Sequence, residues 1–214
     1  MSKFNITNIP TVTAFKLNAD SAIIHVQYNT RYELCSSFMR LHEYYESADP
    51  QIQGHYFTIE EYMDSYAKAN GGFSYTMDWS GFNIPHNVYH EFCDLFESHG
   101  FNKKETTLIH EINRVLDDMT MTIDNLMNLK FYIIGSYKEC PREANVVQHE
   151  IAHALYSIDS DYKYHADVNC NVIPFRDEMI EVLKEWGMPI LSSKMNYRLM
   201  LQQIVKLIGN HFHA

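Results

Sequence analysis

The chain has 214 residues, 46% hydrophobic and 21% charged, a balance that fits one globular domain with a real core. Asp and Glu outnumber Lys and Arg by 27 to 17, giving a net charge of −10 with no basic cluster, which argues against a nucleic-acid partner. Met1-Ser2-Lys3-Phe4-Asn5 has no apolar signal core and no stretch reaches the apolar length of a membrane span, so the expectation is a soluble, cytoplasmic protein with no membrane partner.

Taken in order, Thr11 to Leu17 and Ala22 to Tyr28 read as two strands around the turn Asn18-Ala19-Asp20-Ser21. Leu34, Phe38, Leu41 and Tyr45 form a helical stripe between Tyr32 and Glu46, ended by Asp49-Pro50. Thr58-x-x-Glu61 is a capping box for a helix that Asn70-Gly71-Gly72 stops. Phe73 to Trp79 alternates aromatic and small polar residues and reads as a short strand. Pro85 suits the first turn of a helix running to about Glu97, closed by Ser98-His99-Gly100. Lys104 to Met127 is a long helical pattern with a break expected near Thr120-Met121-Thr122.

Leu129 to Tyr137 is the strongest strand in the sequence, and an extended substrate adding to its edge is one expected use for it. A plain core strand is the competing reading. The motif helix follows, with Val147, Ile151, Ala154, Leu155 and Ile158 as its apolar face and His149 and His153 off that face. Asp159 to His165 reads as a polar, aromatic loop. Further helices are expected after Pro174 and after Ser192 or Ser193.

His149-Glu150-Ile151-Ala152-His153 has the form HExxH. Two histidines four apart on a helix lie one above the other and can reach one metal ion, with the glutamate between them placed to act on water. A catalytic zinc usually takes a third protein ligand. Glu178, in the first turn of a later helix, is the preferred candidate; Asp159, Glu181 and His165 are the alternatives. Asp159 stands six residues after His153, but Tyr156 occupies the place where a turning glycine would be needed, so the helix is expected to continue. Tyr162, Tyr164 and His165 are candidate donors to an oxyanion. His86 and His90 are also four apart, without a glutamate in the HExxH position, and read as coincidence. Cys35, Cys93, Cys140 and Cys170 are scattered and form no CxxC, which suits reduced thiols.

His149-Glu150-Ile151-Ala152-His153 with Asp177-Glu178-x-x-Glu181 downstream resembles a gluzincin-type zinc metallopeptidase (a zincin) over about 40 residues. The resemblance implies Zn2+ held by His149, His153 and Glu178, with Glu150 as general base and a peptide or protein as substrate. The expected fold is α+β and zincin-like, predominantly helical, with a small mixed sheet whose strand precedes the motif helix. A single domain over 1–214 is expected, with an N-terminal lobe of about 1–128 and a motif-bearing part of about 129–214. The alternative function is a catalytically weak or inactive HExxH protein that binds metal and acts through a partner. The sequence leaves the oligomeric state open.

Overall fold

The computed structural model describes residues 9–120 and 129–171, and all structural statements below concern these. They form a mixed α+β structure of seven helices and a four-stranded sheet. The elements are β1 (Thr11–Lys16), β2 (Ser21–Tyr28), α1 (Arg31–Glu46), α2 (Ile59–Asn70), α3 (Tyr75–Asp78), β3 (Phe82–Pro85), α4 (His86–Glu97), α5 (Lys103–Thr120), β4 (Lys130–Tyr137), α6 (Glu143–Ile158) and α7 (Ser160–Asn171). The chain divides into two compact units, 1–154 and 155–214. No described helix is long and apolar enough to cross a membrane.

The sheet order is β1-β2-β4-β3. β1 and β2 form the expected antiparallel hairpin, β2 runs parallel to β4, and β3 lies antiparallel to β4. β4 is therefore an interior strand, paired with β2 along its length and with β3 over Tyr132–Gly135, and over that stretch its edge is closed to an added strand. This corrects the expectation that substrate pairs with it. Its unbroken apolar run has the corresponding cause: every residue after Lys130 is buried, on both faces of the sheet.

One face carries the core. Ala22, Ile24 and Val26 of β2 and Phe131, Ile133 and Tyr137 of β4 cluster there with Leu34, Phe38 and Leu41 of α1. α1 crosses closely at Gly135, where an added Cβ would stand 3.0 Å from Leu34 Cδ1. The capping signals act as written: Thr30 and Glu33 form a capping box at α1, Thr58 and Glu61 one at α2, and Gly71 closes α2 in the left-handed conformation. Tyr75–Asp78 is a helical turn rather than a strand, and the strand begins later, at Phe82. The aromatic alternation there serves ring packing, with Tyr75 fully buried against Tyr62 and Tyr66.

Arg31 ties this region down. Its guanidinium donates to the Met77 carbonyl, Ser80 Oγ and Tyr137 Oη, which fixes the backbone leading into β3. That backbone forms one wall of the site.

Candidate metal centre

α6 is anchored to the sheet face opposite α1 by its first residue. Glu143 accepts from Gln27 Nε2 at 2.5 Å and from Ser136 Oγ at 3.1 Å, and Ser136 Oγ also pairs with His25 Nε2 at 2.8 Å. An acid in the first turn suits the helix dipole as well. The helix then turns Glu150 and His153 inward; of the expected apolar face, Ala154 is buried, while Val147, Ile151, Leu155 and Ile158 are half-buried. Two motif residues, Glu150 and His153, are thus buried alongside Ala154 of the apolar face. Burying ionisable groups is costly unless they are paired or hold a ligand.

The ligand atoms of His149, Glu150 and His153 lie within 4.8 Å of one another. The two Nε2 atoms face each other at 3.1 Å. Two imidazole nitrogens on one tetrahedral zinc, each at about 2.0–2.1 Å, stand roughly 3.3 Å apart, so the pair is spaced for a shared ion. Without an ion, one Nε2 must carry a proton for the two to approach. His153 Nδ1 is buried and has no hydrogen-bond partner, so no contact fixes that tautomer. A cation between the two nitrogens would use both lone pairs. The donor set fits zinc.

Electrostatics points the same way. Burial, reinforced by the adjacent His149, lowers the His153 pKa to about 4, against an opposing pull from Glu46. At neutral pH this ring is uncharged and offers a lone pair. Burial pushes the Glu150 carboxyl up to about 7, against His149, the Asn83 hydrogen bond and His42, with Glu46 adding to the rise. Glu150 therefore holds a proton more readily than a solvated carboxylate does.

Two residues from the β3 region hold Glu150, and neither is foreshadowed by the motif. Asn83 Nδ2 donates to Glu150 Oε2 at 3.1 Å, and Tyr132 Oη donates to Asn83 Oδ1 at 2.8 Å, which fixes the amide orientation. Gly81 packs so close that an added Cβ would stand 2.5 Å from Glu150 Oε1 and 2.6 Å from Val146 Cγ1. Gly81→Ala is expected to displace the Glu150 side chain and to destabilise the fold by about 1–3 kcal/mol, through overpacking. Denaturant midpoints of the variant and wild type measure this, and equal midpoints would mean that the contact relaxes freely. The only sequence signal was the Ser80-Gly81 turn, read as a turn and not as a wall.

The other candidates fall out as follows. α6 continues past Tyr156 to Ile158, as the missing glycine implied. The segment after it is a helix, α7, and not the expected loop. Asp159 explains the difference: its Oδ1 accepts from Tyr162 N at 2.8 Å and its carbonyl from Lys163 N at 3.0 Å, so it is the N-cap of α7. Its carboxylate is occupied in that cap. Tyr162, Tyr164 and His165 accordingly lie on α7, with the Tyr164 and His165 rings in edge contact. Glu178, Glu181 and Asp177 lie outside the described residues, as do the helices expected after Pro174 and Ser192. His86 and His90 both pack on Phe131, with ring centroids 5.8 and 5.5 Å away.

No family model, curated protein or solved structure matches the chain, so the reading of this site rests on its own geometry.

Proposed function

We propose that the chain is a zinc-dependent peptidase, with His149 and His153 as metal ligands and Glu150 as general base. The observation that carries the reading is the convergence of these three side chains within 4.8 Å, with Glu150 and His153 buried. A structural role accounts poorly for a buried carboxyl beside two imidazoles, whereas a metal ion and a reacting water give each group a partner.

Zinc supplies a positive charge that brings the pKa of water toward neutrality and polarises a carbonyl. Glu150 takes the proton from the attacking water and passes it to the leaving amine as the carbon–nitrogen bond breaks. Its raised proton affinity suits a group that must carry the proton between the two steps. Asn83, itself held by Tyr132, keeps one oxygen of the carboxylate in place, so the other does not wander while the substrate is in position. The neutral His153 ring keeps its lone pair for the ion.

The test is metal content together with cleavage. Purified protein is expected to contain about one zinc per chain and to cut members of a mixed peptide library, with the activity lost on chelation and restored by zinc. Stoichiometric zinc without cleavage of any peptide would favour the metal-bearing interaction protein. Absence of stoichiometric metal would remove both readings.

A further inference from the structure

We propose that Glu143, the first residue of α6, is a positioning residue of the metal centre: bound to the sheet through Ser136 and Gln27, it sets the rotation of the motif helix against the β3 wall. The inference rests on the zinc reading above and deepens it, since it concerns what holds that site in shape.

The spacing along the helix comes first. Glu143 and Glu150 are seven positions apart on α6. At 3.6 residues per turn this falls about 20° short of two full turns, so the two carboxyls share one face, about 10 Å apart along the axis. The strand beneath offers a matching pair. Tyr132 and Ser136 are four positions apart on β4, so both point to one face of the sheet, about 13 Å apart. That face lies away from α1, because the alternate residues Phe131, Ile133 and Tyr137 belong to the core on the α1 side. Each member of one pair meets a member of the other. Ser136 Oγ donates to Glu143 Oε1 at 3.1 Å, and Tyr132 Oη holds Asn83, whose Nδ2 donates to Glu150 Oε2. α6 is thus fixed to β4 at two points two turns apart, one direct and one through Asn83. Two such points define the rotation of the helix about its axis, whereas one leaves that rotation to packing alone.

The first point is specific in its chemistry. Gln27 stands opposite Ser136 in the β2–β4 register, and its Nε2 donates to the same Glu143 oxygen at 2.5 Å. Ser136 is buried and gives its one proton to Glu143, so its oxygen accepts from His25 Nε2 at 2.8 Å. Three side chains from two strands therefore serve one carboxylate. An acid that only complemented the helix dipole would need none of them. The far end of the helix is sensitive to rotation. Gly81 leaves Glu150 Oε1 no spare room on one side, and Asn83 holds Oε2. A small roll of α6 would therefore press Glu150 on the wall or part it from Asn83, and would move both imidazoles with it.

Zinc affinity of the full chain, measured by competition with a chromophoric chelator, tests the proposal. Glu143→Ala is expected to lose about 10–100-fold, the range for groups that orient metal ligands without touching the ion. Glu143→Gln keeps an oxygen to accept from Gln27 and Ser136 and is expected to recover most of that loss. Glu143→Ala/Asn83→Ala is expected to lose more than the product of its two single losses, because each point substitutes in part for the other. Cobalt-substituted Glu143→Ala, at saturation, is expected to differ from wild type in visible band shape. Glu105→Ala is the control: it weakens the fold elsewhere, and its cobalt spectrum is expected to match wild type. Ser136→Ala removes one bond and leaves the carboxylate, and is expected to change the cobalt spectrum in the same direction; it answers any failure of Glu143→Ala to fold. Wild-type affinity in Glu143→Ala overturns the proposal, as does a loss accompanied by a wild-type cobalt spectrum, which is the mark of a merely structural role. Single losses that simply multiply in the double variant overturn it too. Wild-type protein that binds no zinc overturns the functional reading along with it, and the two failures are thereby told apart.

Discussion

Glu150→Gln is expected to retain zinc and to lower peptide hydrolysis by about 10²–10⁴-fold, the usual weight of a positioned acid–base group. The substitution keeps the shape of the side chain and an oxygen able to accept from Asn83 Nδ2. It removes only the capacity to take a proton. Zinc content of wild type and variant, measured beside kcat/KM on one peptide, separates the roles. Equal zinc with collapsed turnover identifies a base. Loss of zinc would instead make Glu150 a ligand, since its carboxylate is close enough to both histidines to bind the same ion. Turnover equal to that of wild type would end the mechanism. Folding provides an internal control. Burial is what raises the Glu150 pKa, so exchanging the carboxyl for a neutral amide should not weaken the fold.

Glu105→Ala is expected to destabilise the protein by about 3–5 kcal/mol, because it strands a buried guanidinium. Arg40 Nε donates to Glu105 Oε1 at 2.7 Å, and Nη2 pairs with Oε2, with side-chain exposures of only 5% and 3%. Arg40 also reaches the carbonyls of Phe57 and Gly100 and lies over the Phe96 ring. The carbonyls cannot replace the lost negative charge. A fall of roughly 10 °C in melting temperature follows for a chain of this size. The double variant Arg40→Met/Glu105→Leu is the comparison, expected to recover most of the loss because no charge is left buried. If Glu105→Ala melts with wild type, the pair adds nothing that water does not.

How far the sequence reached follows from how local each feature is. The α2 helix was legible from Thr58, Glu61 and Gly71 because caps act within one turn. β4 was legible from its composition, and HExxH from its spacing. The pairing of β4 was not legible, because partners on both sides come from segments far away in the chain. The burial of α6 was legible only in part: Ala154 of the expected apolar face is buried, but periodicity assumes that ionisable residues stay outside, and Glu150 and His153 are buried too. Asn83 and Gly81 carry no motif, and only the fold brings them to Glu150. Asp159 was a missed local signal, an aspartate three residues before an amide that it caps.

The β2–β4 pairing has a consequence for when the site comes into being. Ser21 lies opposite Lys130, so the two strands meet across 109 positions (130 − 21). Closing so long a connection is entropically expensive before any contact rewards it, and parallel pairing at such range is slow. The residues argued to act together, from Gly81 to His153, come from before and after β4 in the chain. During synthesis the early segments leave the ribosome with Gly81 and Asn83 but no histidine pair to meet them. On the proposed function, metal capture would therefore be a late event in the life of each chain.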